Sequence, residues 1–474
     1  MKTVIRLRLQ LMLTALLMLV LCGSYSVYSQ TRRDAKLESA IAKLRFINAS
    51  KLNDAQKEAK AAEIDAAWLV IRTAGKQGIE RLKQELQQIK RKGEKDDFFK
   101  LNAAALLWQI GRFDEVAAIT EIWQTTPLDA QYNYVFLTAL DAAQTHDARV
   151  LPMLEACLRD SKGHFTIALH SLQLYAPMTH EFIWGTFGPK GLPALTQLLQ
   201  TSKDTLTKQA AVYLLDKAQY SAALPTIRKL AADNHDPAHD TAIRALGIFG
   251  HPQDFDLLLA GLRNSETTRD LESYAYALYE FEDLRAVAAL TPFLGIDEEY
   301  AGREVVAALM HLLSVASLDA LQQHCVSTSI PQRAGECNRA LSETVGKTGR
   351  GWEQYAKLPA AQKAALVAGL RQQAEEDAAS TSGKKPASHE EFVRAANEWK
   401  EKHRLACDDC DEEALLLAAV PEDIDLLLEV KAAVLMRLSD ECLYEVERLD
   451  RTVRRLGRSR YRKVTGLTEK AETR

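Results

Sequence analysis

"GLPALTQLL" at Gly191–Leu199 and "ALPTIRKLA" at Ala223–Ala231 place a Leu-Pro step and its trailing apolar residues at the same offsets, 32 residues apart. Following one leucine-type position outward from this pair gives two rows. The first runs through Leu107, Leu140, Leu172, Leu214, Leu246, Leu278, Leu309 and Leu341. The second runs through Ile119, Leu154, Leu195, Ile227, Leu258, Leu290 and Leu321. Steps are 31 to 35 residues long, apart from one of 42 in the first row and one of 41 in the second. Two rows sharing one period describe stacked helix pairs, each burying its apolar face only against a neighbour.

Spacing inside the segments is helical. Leu192, Leu195, Leu198 and Leu199 recur at intervals that share one helix face, with polar residues between. Leu-Pro returns at Leu151-Pro152, and proline suits a first helical turn because its missing N–H has no intrahelical partner there. Asp236-Pro237 reads as an N-cap followed by proline. Strand runs bounded by hairpin turns are not expected.

"AIRALGIFGHPQDFDLLLAGLRNSE", Ala242–Glu266, resembles a HEAT-like repeat of the phycobilisome-lyase type, through Ala245, Leu246, Gly247, Gly250, Pro252, Leu258 and Leu262. "IGRFDEVAAI", Ile110–Ile119, resembles a tetratricopeptide turn. The expected fold is therefore all-α: a right-handed α-α superhelix of HEAT-like repeats over 96–346, TPR-like at its start, with a small helical C-terminal domain. Residues 33–92 form an N-terminal helical capping region and 347–374 degenerate capping helices. The Gly/Pro/Ser-bearing 375–391 is a linker, 392–464 the C-terminal helical domain and 465–474 a disordered tail. The phycobilisome-lyase resemblance implies thioether chemistry on a linear tetrapyrrole. Those lyases act inside the cell, however, and their repeats serve many unrelated scaffolds.

The chain has 474 residues, 47% hydrophobic and 26% charged, with a formal charge of −4. Nothing in that balance points to nucleic acid. Lys2, Arg6 and Arg8 followed by the apolar Leu11–Cys22 read as a secretory signal peptide over 1–29, with cleavage before Gln30. The whole thus resembles an exported bacterial repeat protein, periplasmic or secreted. Loss of the three basic residues takes the formal charge to −7. An uncleaved anchor and lipidation at Cys22 are the alternatives, the second disfavoured because Leu21 is not small.

Six cysteines remain after cleavage, in a compartment that permits disulfides. Cys407 and Cys410 form a Cys-Asp-Asp-Cys motif, with His403 before it and Cys442 after. Its acidic neighbours oppose thiolate formation, which disfavours redox catalysis. A structural disulfide and a zinc site from His403, Cys407, Cys410 and Cys442 stay open. Cys325 and Cys337, on adjoining helices, are a second disulfide pair, with two buried thiols as the alternative. Cys157 occupies a core position. His235 and His239 lie among Asp233, Asp236 and Asp240, but the two histidines do not share a helix face, so ordinary capping is expected there.

The two long steps locate an insertion at Ala176–Lys190, "APMTHEFIWGTFGPK". Its aromatics Phe182, Trp184 and Phe187 are candidates for a binding loop, or for packing back over the repeats. The basic run Arg448, Arg451, Arg454, Arg455, Arg458, Arg460, Arg462 and Lys463 is a candidate for weak envelope or lipid contact, or a solvated helix. The sequence has no phosphate loop, nucleophile elbow, HExxH or dinucleotide fingerprint. The expected function is a non-enzymatic scaffold, without cofactor, binding a protein or peptide partner in the cell envelope. A thiol- or metal-dependent activity at Cys407/Cys410 is the alternative.

Overall fold

The computed structural model describes residues 31–465 except 46–52, 94–95, 129–132, 159–166, 170–171, 175, 297–298, 329–330, 347–351, 380–385, 387, 403–415, 417 and 436–439. The chain divides into two compact units, Met1–Asp141 and Ala142–Arg474.

In the first unit, α1 covers 31–43, followed by α2 (Asp54–Ala74), α3 (Lys76–Lys92), α4 (Asp97–Gly111), α5 (Val116–Thr125) and α6 (Asn133–Ala143), which runs just past the boundary. Leu37, Ile41, Leu44, Ile71, Leu82 and Phe99 knit α1–α4 into one core. The expected capping region thus holds three helices. Caps follow the local chemistry: Asn53 and Gln56 satisfy each other's backbone N–H at the start of α2, and Asp96 accepts from Phe99 N at the start of α4.

The second unit holds α7 (Leu151–Leu158), α8 (Ala176–Phe187), α9 (Leu192–Thr201), α10 (Thr205–Lys217), α11 (Leu224–Ala231), α12 (His239–Phe249), α13 (Phe255–Arg263) and α14 (Thr268–Phe281). It continues through α15 (Ala286–Leu290), α16 (Glu299–His311), α17 (Val315–Ser327), α18 (Pro331–Gly346), α19 (Trp352–Ala356) and α20 (Ala360–Ala379). It ends with α21 (His389–Lys402), α22 (Ile424–Leu435) and α23 (Asp440–Thr465). Helices α10, α12, α14 and α16 pack successively, with α11, α13 and α15 between them in sequence. This all-α repeat fold follows the two rows. Leu214, Leu246, Leu278, Leu309 and Leu341 are buried, as are Leu154, Leu195, Ile227, Leu258, Leu290 and Leu321, and in the first unit Leu107, Ile119 and Leu140. The Leu-Pro steps open α9 and α11, each after a short 3-10 turn (Gly188–Gly191 and Ser221–Ala223).

Gly247, inside the HEAT-like stretch, lets α12 approach α14. A Cβ there would lie 2.3 Å from the carbonyl oxygen of Ala277 and 2.5 Å from its Cα. Asp236 is not an N-cap: α12 starts at His239, and Asp236 builds a turn before it by accepting from Ala238 N at 2.9 Å.

Leu172 breaks the first row. It lies in strand β2 (Leu172–Leu174), paired antiparallel with β1 (Ile167–Leu169), so a small hairpin exists where no strand was expected. The residue at the repeat's register is Phe182, 32 before Leu214 and 42 after Leu140. The stretch predicted as an insertion, Ala176–Lys190, is helix α8 and the turn after it. The extra residues precede it, between α7 and α8, around the hairpin.

Nor does the C-terminal domain stand apart from the repeats. Helix α22 packs on α8, and α23 packs on α22 and lies against α10 and α12. Earlier, Lys363 and Arg371 of α20 reach back to Asp319 (2.7 Å) and to the carbonyl of Leu313 (2.9 Å). Of the expected linker 375–391, α20 takes the first residues and α21 the last.

Candidate functional site

What fastens the returning C-terminus is a buried ion cluster. Lys431 stands on α22, whose other residues are mostly apolar; Nζ lies 2.5 Å from Glu181 Oε1 on α8 and 2.6 Å from Asp450 Oδ1 on α23. Lys217 at the end of α10 meets Asp450 Oδ2 at 3.2 Å, and Tyr213 donates to Glu181 Oε2 at 3.1 Å. Burial opposes charge on Glu181, but Lys431 and Lys217 outweigh it and hold this carboxyl at about 2. Asp450 shares the same ammonium; burial keeps its carboxyl above the usual range. Beside them Asp216 is buried with no partner for Oδ1 among the described residues. Burial pushes its carboxyl up to about 8 despite Lys217 and Arg454. A pocket of about 40 Å³ lies next to Trp184, Leu428 and Lys431.

Farther along, α23 turns its arginines toward the ends of α12 and α14. Arg454 Nη1 pairs with Glu280 Oε2 at 2.9 Å. Arg458 pairs with the same oxygen at 3.2 Å and with Glu282 at 2.9 Å, and donates to the carbonyl of Ile248 at 3.3 Å. Burial raises the carboxyl of Glu282, yet the His311 hydrogen bond and the Arg458 charge prevail and set it at about 2. Arg455 donates to the carbonyl of Leu416 at 2.9 Å, and burial lowers its guanidinium pKa. Arg451 is exposed. Together these groups line a pocket of about 320 Å³ with Tyr279 and His311, whose rings are 4.2 Å apart.

A different concavity lies in the first unit, on α2, α4 and α6. Trp68, Trp108 and Leu137 line a groove of about 550 Å³, edged by Arg72, Gln109, Arg112 and Asp141. The indole N–H groups are committed: Trp68 donates to Asn102 at 3.0 Å and Trp108 to Asp141 at 2.5 Å. Arg112 pairs with Asp141 while its guanidinium sits 5.1 Å above Trp108. Leu137 keeps 43% of its surface exposed.

The residues singled out in the sequence fall elsewhere. Phe182, Trp184 and Phe187 retain 1%, 4% and 2% of their surface, because they are the core face of α8 and not a loop; they leave a partner almost nothing to touch. Cys325 and Cys337 are buried thiols not joined by a disulfide and within hydrogen-bond reach of each other. Cys157 is a buried thiol whose pKa burial raises. His403, Cys407 and Cys410 lie outside the described residues, as does the side chain of Cys442. Of the basic run, Arg454 and Arg458 are used internally; the side chains of Arg460, Arg462 and Lys463 lie outside the described residues. His235 is exposed. His239 instead meets Asp240 and Asp270, with one ligand-type atom from each within 4.8 Å of the others. Those acids are already employed: Asp240 pairs with Arg269 at 2.5 Å, and Asp270 caps α14.

A family model described as HEAT repeats matches residues 192–278. No curated protein matches the chain. Among solved structures, human deoxyhypusine hydroxylase in complex with glycerol is 18% identical with a TM-score of 0.24, covering 66% of this chain and 97% of its own. An engineered protein is 17% identical with a TM-score of 0.29, covering 88% of this chain and 98% of its own. The matched segment, α9 to most of α14, is a helical-repeat scaffold. Among the described residues no helix is long and apolar enough to cross a membrane.

Proposed function

We propose that the chain is a non-enzymatic repeat scaffold that binds an extended segment of a protein partner in the cell envelope. The groove on α2, α4 and α6 carries this reading. Trp68, Trp108 and Leu137 offer apolar contact, while Arg72 and Gln109 can meet a backbone or an acidic side chain. HEAT repeats commonly mediate protein interactions, which supports the class of function but names no partner. Export rests on the basic and apolar start of the sequence, and N-terminal sequencing of the mature protein should begin at Gln30.

A photo-crosslinking residue placed at Leu137, with Leu206 of the second unit as control, tests the binding face. The expected result is one partner captured at 137 and not at 206, whose purified peptide binds Arg72→Glu/Leu137→Glu about ten-fold more weakly. Equal capture at both positions, or undiminished affinity, refutes this face.

A further inference from the structure

The arginine pocket between α23 and the end of α14 is separate from that groove and has an excess of charge. Four guanidinium groups face two carboxylates, Glu280 and Glu282, so two positive charges are not compensated among the described residues. The two paired arginines are Arg454 and Arg458. The two without a carboxylate among the described residues are Arg451 and Arg455, both exposed, and Arg455 spends one arm on a backbone carbonyl.

Such an arrangement is specific in three ways. The paired arginines are fixed: Arg458 contacts Glu280, Glu282 and the Ile248 carbonyl, and Glu280 is further held by Tyr276 at 3.0 Å. Second, Arg451 and Arg455 stand next to Arg454 and Arg458 on consecutive turns of one helix, so their planar forks address one volume. Third, the walls are a tyrosine and a histidine in contact, leaving about 320 Å³ of room. Guanidinium forks match tetrahedral and planar oxyanions through paired N–H···O bonds. Two spare charges match a phosphate monoester, which carries close to two negative charges near neutral pH, better than a single carboxylate.

We propose that this pocket binds a phosphate-sized oxyanion, held by Arg451 and Arg455 beside the fixed pair Arg454 and Arg458. The phosphate could belong to a soluble small molecule or to a lipid headgroup, and the test separates the two.

The full chain is titrated calorimetrically at low ionic strength with inorganic phosphate, then with acetate at matched ionic strength. Saturable binding of phosphate, with acetate at least about ten-fold weaker, is expected. Arg451→Gln, an exposed change that leaves folding intact, should weaken phosphate several-fold; Arg455→Gln should weaken it about ten-fold. Arg263→Gln, exposed on α13, should change nothing. A structural role for Arg455 would lower the thermal midpoint of the ligand-free protein; an uncompensated binding residue leaves it unchanged or raises it while losing phosphate. Vesicles doped with phosphatidic acid form the second arm. Binding to them that free phosphate competes away assigns the headgroup as source, while phosphate binding without vesicle binding assigns a soluble ligand. No saturable phosphate binding, acetate binding as tight as phosphate, or undiminished binding by both arginine variants overturns the proposal.

Discussion

Lys431 and Glu181 are 250 positions apart in the sequence and 2.5 Å apart in space. One ammonium therefore joins α22 to both α8 and α23. A buried pair adds little net stability when intact, but removing one partner strands the other charge in a low-dielectric interior. Lys431→Met leaves both Glu181 and Asp450 uncompensated by it, and should cost about 3–5 kcal/mol. Urea denaturation measures this; a loss below about 1 kcal/mol would show that the cluster is not what fastens the C-terminus. Glu181→Gln in the Lys431→Met background should recover part of the loss, because it removes one stranded charge.

Two carboxyls near this cluster respond to pH in opposite directions. Glu181, held at about 2 against an ordinary 4.5, supports the fold fully above 4.5, and its contribution is lost as pH falls toward 2. Asp216, pushed from 3.8 to about 8, behaves inversely: the folded state holds a proton that the unfolded state releases. Its contribution is complete below 3.8 and is lost as pH rises through 8. Thermal midpoints measured from pH 4 to 9 should decline on the alkaline side, and Asp216→Asn should flatten that decline while leaving the acid limb in place. An alkaline limb as steep in the variant as in the wild type would remove Asp216 as its cause.

How much of this was readable without coordinates varies with the physics involved. The rows of leucines are local: each sits in its own helix, and the period repeats the same burial. Phe182 was missed because a leucine, Leu172, fell at a tolerable offset, while the residue in register was aromatic. The long step was thereby assigned to α8 itself, whereas the extra residues precede it. The return of α22 and α23 has no periodic signature, since it joins segments 250 residues apart. One signal was present: Lys431 lies in "LLLEVKAAVL", an apolar run where a lysine needs a buried partner. The Arg454/Arg458 spacing, four residues, puts two guanidinium groups on one face, yet nothing local announces Glu280 opposite them. The groove on α2, α4 and α6 was invisible because its two tryptophans sit in different helices.

Cys325 and Cys337 test the state of the thiols. Both are buried, and the contact with Cys337, reinforced by burial, raises the Cys325 pKa and suppresses its thiolate. The folded protein should therefore resist iodoacetamide at both positions, and both should alkylate once it is unfolded in urea without reductant. Alkylation only after reduction would establish instead the staple between α17 and α18 considered from the sequence, which would add about 3 kcal/mol in the chain-entropy model.

Close approach of α12 and α14 rests on Gly247. Because the atoms in the way of a Cβ belong to the backbone of Ala277, no side-chain rotation relieves the clash. Gly247→Ala should cost about 1–3 kcal/mol despite the better helix propensity of alanine. A neutral or stabilising result in a denaturant melt would mean that the helices separate freely.

Trp184 distinguishes core from binding loop most directly. It keeps 4% of its surface, and a Cβ on its neighbour Gly185 would lie 2.3 Å from the Leu435 side chain of α22. Truncating such an indole opens a cavity beneath the docked C-terminal helices. Trp184→Ala should thus lower stability by about 3–5 kcal/mol. At a temperature where the variant is still folded, its affinity for a partner captured through Leu137 should match the wild type, because α8 belongs to a unit that the groove does not include. Lost affinity with an unchanged melting midpoint would return Trp184 to the role of a contact residue and contradict its place in the core of α8.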